Sequence, residues 1–247
     1  RGRAQYRVLM FNALRQSLSG SAPAGRETPV LPDPGEHPVL GTALDGPWPE
    51  GSRVIYLAAG CFWGVERILW RQDGVVSTSV GYMGGQTPNP TYQEVCTGAT
   101  GHAETVRVVY DPAVCGEGGE TLLKTFWENH DSTHLNRHGN DIGTQYRSAV
   151  WTTTPAQHEA AVRIREAFQG ELTRLGLGTC VTTIEDAADA PAQFGGPYYL
   201  AEDYHQAYLH KNPSGYCNHG PNGVTCPVGI TDLPAQTDIL APGDAPV

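Results

Sequence analysis

The sequence predicts an α+β protein, built as a two-layer mixed β-sheet with helices packed on it and long coil at both termini. Three observations carry this. Short β-prone apolar runs and helix-period stretches are interleaved along the chain rather than segregated. The strand after the first helix is not bound to run parallel to its predecessor, which makes the sheet mixed. The 30 Gly and 19 Pro demand many turns and long irregular connections. At 247 residues the chain can bury one substantial core, so one domain with decorated ends is expected: an arm over residues 1–50, an α/β core over 51–212 and a Gly/Pro-rich tail over 213–247.

The elements follow in order. Tyr6 to Leu18 has the pattern of a short helix, and residues 17 to 52, rich in Pro, Gly, Ser and Ala, read as an irregular arm that wraps the surface or lacks order. Arg53 to Ala59 is a buried strand. Phe62, Val65, Ile68 and Leu69 then recur at helical spacing through Trp70, and Gly74 ends that helix. Val75 to Val80 is a second strand, leading into a loop from Gly81 to Pro90 whose glycines and prolines oppose regular structure. Val106, Val108 and Tyr110 alternate in a third strand, Thr105 to Tyr110, ended by Asp111-Pro112. Leu122 to Asn129 is a short helix and Ser148 to Thr152 a strand. Thr154-Pro155 starts a helix reaching about Leu175. Cys180 to Ile184 is a further strand and Ala201 to His210 a short helix; beyond Pro213 the composition predicts a flexible tail.

The formal charge of -10 and the lack of a basic patch argue against nucleic acid and anionic membranes as partners. No apolar run approaches the roughly 20 residues that span a bilayer, and the first residues lack a secretory pattern, so a soluble, cytoplasmic monomer is expected. Six cysteines, at 61, 96, 115, 180, 217 and 226, are too few for a disulfide scaffold in this length. Some are therefore free or catalytic.

Cys61 has the most informative position. It lies in Gly60-Cys61-Phe62-Trp63-Gly64, at a strand-to-helix turn, where the partial positive charge of a helix N-terminus lowers a thiol from its unperturbed value of about 8.5. Phe62 and Trp63 are equally suited to wall a pocket or to fill the core. Cys217 and Cys226 lie on the Gly-rich tail, as a thiol relay requires, since one sulfur must approach another and retreat. Cys96, Cys115 and Cys180 read as buried or idle thiols. Eight residues separate Cys217 from Cys226, too many for a structural zinc pair, and His130, His134 and His138 read as solvated or hydrogen-bonded loop histidines, so no metal or cofactor is expected. Glu104 opens an apolar strand; desolvated there, it would stay protonated near neutrality and serve as an acid, and solvated it would do neither.

Taken with Gly81-Tyr82-Met83-Gly84-Gly85, Pro90-Thr91-Tyr92-Gln93-Glu94-Val95-Cys96, Gly101-His102-Ala103-Glu104, Trp127-Glu128-Asn129-His130-Asp131, the run Gly139 to Ser148 and Ala201-Glu202-Asp203-Tyr204-His205-Gln206, the Cys61 segment resembles the A-type methionine sulfoxide reductases. The similarity extends from about Gly25 to Cys226. The resemblance implies a ferredoxin-like core and reduction of the S-epimer of methionine sulfoxide, free or in proteins, with thioredoxin as electron donor. It implies Cys61 as nucleophile, Phe62 and Trp63 as the pocket for the substrate methyl group, and Tyr92, Glu104 and Tyr146 facing the sulfoxide oxygen. Asp141 is implied to organise water and substrate, and Cys217 and Cys226 to be the recycling thiols of a three-cysteine member.

The chemistry agrees with these roles. Sulfoxide oxygen leaves poorly, so attack on its sulfur needs the oxygen protonated or strongly hydrogen-bonded. A Cys61 sulfenic acid would then be resolved by Cys217 and the disulfide passed to Cys226. Two departures from the family pattern stand out: Ser132 where a proline commonly follows the aspartate, and His138 where glutamine is common; neither is expected to touch the chemistry. A thiol peroxidase would use the same sulfenic acid, and a noncatalytic redox or metal module is the rival from another class.

Overall fold

The computed structural model describes residues 22–227; the helix expected over Tyr6 to Leu18 lies outside the described residues. The apolar run at Arg53 becomes the central strand β1 (Arg53–Ala59) because both of its faces are covered: Ile55, Leu57 and Ala59 join the main core and Ala58 a smaller cluster on the opposite face. Gly60, at φ +98, makes the turn into α1 (Phe62–Leu69), whose Phe62, Val65 and Leu69 pack into the main core. β2 (Val75–Met83), α2 (Tyr92–Cys96) and β3 (Ala103–Tyr110) follow. Then come α3 (Pro112–Cys115), α4 (Glu120–Glu128), the short hairpin β4 (Arg137–His138) and β5 (Asp141–Ile142), and β6 (Ser148–Thr152). Thr154 caps α5 (Pro155–Arg174), with Pro155 at its first position. β7 (Thr183–Asp186), β8 (Tyr198–Leu200) and α6 (Tyr208–Lys211) complete the chain.

The sheet runs β7-β6-β1-β3-β2-β8, with β6 and β7 parallel and every other pairing antiparallel, so the expected mixed sheet is found. Helices α1, α4 and α5 bury Leu122, Leu123, Phe126, Trp127, Ile164 and Phe168 with Val106, Val108 and Val150 of the sheet. Residues 22–52 are largely irregular and cross strand β2: His37 Nε2 meets Thr78 Oγ1 at 2.9 Å and Thr42 donates to the Val76 carbonyl at 2.7 Å. Among the described residues no helix is long and apolar enough to cross a membrane.

Three expected elements are corrected in their bounds. The second strand does not stop at Val80 but continues through Gly81, Tyr82 and Met83. Glycine there permits close approach by β8, since a Cβ on Gly81 would stand 2.3 Å from the Tyr199 carbonyl oxygen. Past the predicted loop lies α2, stabilised by a reciprocal capping box between Thr91 and Glu94. The strand expected at Cys180 to Ile184 begins only at Thr183, and the helix expected over Ala201 to His210 is broken into a 3-10 turn (Asp203–His205) and α6 by Ala207 at φ +48.

The described part of the tail is the largest correction; residues 228–247 lie outside the described residues. From Pro213 to residue 227 it has no regular structure, yet Val224 and Cys226 are buried in the main core. Carbonyls at the end of α4, which a helix C-terminus leaves without partners, hold it there: the Asn222 amide donates to Trp127 O at 2.7 Å and its backbone N–H to Glu128 O at 2.9 Å. The Cys226 N–H adds a bond to Glu128 Oε1 at 2.7 Å.

Candidate active site

Cys61 occupies the N-cap of α1, as its turn sequence predicts, and is 7% exposed. Its ionisation runs against expectation. Burial pushes the thiol well up from its ordinary value, and Glu104, Asp141 and Cys217 push the same way, opposed by the Trp63 N–H. Desolvation in an apolar wall outweighs the partial charge of a two-turn helix.

Glu104 lies on β3 directly opposite Tyr82 of β2 and is 1% exposed. Its Oε2 accepts the Phe62 N–H at 3.0 Å, which ties the carboxyl to the turn that carries Cys61. Burial raises it to about 8, partly offset by that hydrogen bond and reinforced by Asp141, so near neutrality the group is a carboxylic acid. Tyr92 starts α2 and Tyr146 ends a 3-10 turn (Thr144–Tyr146). Burial and then Glu104 raise both phenols well above their ordinary value, so they stay protonated donors beside the acid. Asp141 accepts the Tyr216 hydroxyl at 3.2 Å and the Asn218 amide at 2.9 Å.

Phe62 and Trp63 divide their duties. Phe62 is a core residue, tilted against Tyr82 and His205. Trp63 is only partly buried; its ring stacks on Tyr208 at 3.9 Å and its indole N–H donates to His205 Nδ1 at 3.0 Å. The structure therefore brings Cys61, Phe62, Trp63, Tyr92, Glu104, Asp141, Tyr146 and Cys217 around one turn. Cys226 stands apart at the end of α4, 2% exposed, where burial and then Glu128 push its thiol up to about 12. All six cysteines are free thiols.

Sequence reasoning missed several groups. His205 packs its ring against Phe62, Trp63 and Tyr92, 4.5 Å from the Tyr92 ring, and burial pushes it down to about 3, so it is neutral. Glu202 receives both the Tyr92 N–H at 2.9 Å and the Tyr82 hydroxyl at 3.0 Å, fixing the start of α2. Both lie in the segment Ala201 to Gln206, whose polar density was the available signal. Cys96 is not idle in position: it lies one helical turn from Tyr92 on α2, and burial followed by Glu104 raises it to about 12. His130 and His134 are hydrogen-bonded, one of the two states expected for them, whereas the buried His138 is placed by ring stacking. His130 bonds Phe126 O and Ser148 Oγ, while His138 stacks on His219 at 4.1 Å; only His134 is exposed, on Asp131. His138 also touches the site, since a Cβ on Gly60 would meet its Cβ at 2.5 Å. The tail delivers His219 over that ring, which spacing along the chain does not reveal. Among the described residues no group of three or more His, Cys, Asp or Glu could hold a metal ion.

The family description "Peptide methionine sulfoxide reductase" matches residues 53–225. The chain is 55% identical over 203 residues to a peptide methionine sulfoxide reductase MsrA of Salinispora arenicola, covering 81% of this chain and 88% of that protein. It is 52% identical over 221 residues to MsrA 1 of Caulobacter vibrioides, covering 90% and 97% respectively. Methionine sulfoxide reductase A of Corynebacterium diphtheriae has a similar structure, with a TM-score of 0.72, 48% identity, and coverage of 83% of this chain and 95% of that one. With a family match across most of the chain and relatives above half identity, this chain belongs to the MsrA family of peptide methionine sulfoxide reductases and is an oxidoreductase of that class.

Proposed function

We propose that the chain reduces the S-epimer of methionine sulfoxide, free or in oxidised proteins, by attack of Cys61 on the sulfoxide sulfur. The observation that carries this reading is the buried, protonated Glu104 tied to the Cys61 turn through the Phe62 N–H. The substrate methyl group is received by Phe62 and Trp63, and its oxygen by Glu104, Tyr92 and Tyr146. As the Cys61 sulfur bonds to the substrate sulfur, the thiol proton and the Glu104 proton leave with the departing oxygen as water. That water then adds to the Cys61 sulfur while the bond between the two sulfurs breaks, methionine takes the electron pair, and one proton returns to Glu104. The site starts with a thiol and a carboxylic acid. It ends with methionine, a Cys61 sulfenic acid and a carboxyl that has regained the thiol proton, so atoms and protons balance.

Cys217 then attacks the sulfenic sulfur, releasing water, and Cys226 attacks Cys217 in the Cys61–Cys217 disulfide, freeing Cys61. Thioredoxin is the proposed reductant of the final Cys217–Cys226 disulfide, following from family membership. Because Cys226 is buried against α4, the relay requires the tail to leave the Asn222 and Glu128 contacts. Cys226→Ala is therefore expected to release one methionine per enzyme at the parent rate and then turn over poorly with thioredoxin. Unimpaired multiple turnover would show that thioredoxin reduces the Cys61–Cys217 disulfide directly.

The function itself is tested with one equivalent of epimerically pure sulfoxide followed by mass spectrometry. The S-epimer is expected to yield methionine and a mapped disulfide within the Cys61, Cys217 and Cys226 set. Equal consumption of the R-epimer, or a disulfide outside that set, would overturn the reading.

A further inference from the structure

Cys61, Gly64 and Arg67 recur every three residues at the start of and along α1, so they lie on one helix face. At the middle of that face the side chain is missing. A Cβ on Gly64 would stand 3.0 Å from Cys217 Sγ and 2.5 Å from His219 Nδ1. One turn further on, the Arg67 guanidinium donates from Nη2 to Cys217 Sγ at 3.2 Å, while Cys217 packs against the buried cluster of Trp70, Ala207 and Leu209.

We propose that Arg67 is the positioning residue of the recycling step: its guanidinium holds Cys217 Sγ in the gap left by Gly64 and balances the negative charge that sulfur carries as it attacks Cys61. The proposal rests on the roles of Cys61 and Cys217 given above. In the step, the Cys217 thiolate bonds to the Cys61 sulfur while the Cys61 S–O bond breaks. The departing hydroxide takes a proton to become water. Cys217 is oxidised and Cys61 reduced, with the sulfenic acid as oxidant.

The groups facing Cys217 narrow the source of that charge to one. Tyr216, pushed up to about 12 by burial and then by Asp141, is a neutral phenol; the Asp141 side chain that its hydroxyl meets is acidic and opposes a second negative charge, and the Cys61 thiol adds none of the required sign. His219 is the other nitrogen nearby. Its Nε2 meets the Ala59 carbonyl at 2.7 Å, and a carbonyl only accepts, so Nε2 bears the hydrogen and Nδ1, which has no partner, is a bare lone pair over Gly64. Burial, with His138, His130 and Arg67 adding to it, pushes that ring down to about 3 and keeps it neutral. Among the described residues facing Cys217, Arg67 is the remaining cation, and guanidinium donors to an anionic acceptor make the stronger class of hydrogen bond.

The test follows methionine release and thiol loss separately, in the full chain, after one equivalent of sulfoxide. Arg67→Gln is expected to release the first methionine at the parent rate but to form the Cys61–Cys217 disulfide about tenfold to a hundredfold more slowly, the worth of one charge-assisted hydrogen bond. Arg67→Lys should recover part of the loss, and raising the pH should shrink the Arg67→Gln deficit, because hydroxide then makes the thiolate without help from the cation. Gly64→Ala, which keeps the cation but fills the seat, should slow disulfide formation without relief by pH. Disulfide formation at the parent rate in Arg67→Gln or Gly64→Ala would overturn the proposal, and so would a deficit in Arg67→Gln that neither lysine nor pH relieves. Loss of the first methionine in Arg67→Gln would make Arg67 a fold residue and overturn it as well. If the unmodified chain releases no methionine, the functional reading fails instead, so the two failures are distinguishable.

Discussion

Cys61→Ser is expected to reduce methionine formation to background while leaving the fold intact. The change removes only the polarisable atom that attacks. A serine oxygen attacking the sulfoxide would have to end as a hydroperoxide, with a weak O–O bond in place of the S–O bond of a sulfenic acid. The side chain is enclosed at the N-cap of α1, where serine is a favoured residue, so stability should be kept or improved. Methionine quantified after one equivalent of sulfoxide, with a thermal melt alongside, checks both halves. Methionine at a measurable fraction of the parent rate would sink the assignment of Cys61 as nucleophile.

Glu104→Gln should slow the reductive step by roughly a hundredfold to ten-thousandfold, the usual worth of a positioned acid. The amide is nearly isosteric and its oxygen can still accept the Phe62 N–H, so the turn should stay in place. What it lacks is a proton acidic enough to give to the departing oxygen. With the carboxyl at about 8, the acid form is populated below that pH and lost above it. The single-turnover rate of the parent should accordingly fall as the pH rises through about 8, and Glu104→Gln should lack that falling limb. Linkage has the same sign. A carboxyl whose folded value is raised from 4.5 binds a proton on folding between 4.5 and about 8. Its contribution to stability is therefore fully present below 4.5 and lost as the pH climbs through about 8, and a melting temperature followed over that window should show less decline in Glu104→Gln. An unchanged single-turnover rate in the variant would refute the acid role.

Much of this site was legible in the chain itself. Arg53 to Ala59 and Ser148 to Thr152 announce themselves as strands, and Gly60-Cys61-Phe62-Trp63-Gly64 as the turn between a strand and a helix, because those signals are local: apolar runs, a glycine at positive φ, helical periodicity. Where a distant partner decides the outcome, local reading fails. Gly81 continues a strand because β8 lies against it, and residues 213–227 are held because α4 offers them unpaired carbonyls. Both partners are far away in sequence. His205 and Glu202 escaped for a similar reason, since a histidine becomes a packing partner of the site only once Trp63 and Tyr92 converge on it.

The sequence by itself determined which residues are proposed to carry the chemistry, because a thiol at a strand-to-helix turn, a carboxyl, two phenols and two further thiols set in recognisable segments are chemical facts before any fold exists. The tertiary structure alone decided their ionisation and approach. Burial makes Glu104 an acid and Cys61 a reluctant thiolate, and the missing side chain of Gly64 beside Arg67 sets where Cys217 waits. Desolvation and close approach depend on what the rest of the chain places around a residue, and no stretch of neighbouring sequence contains that.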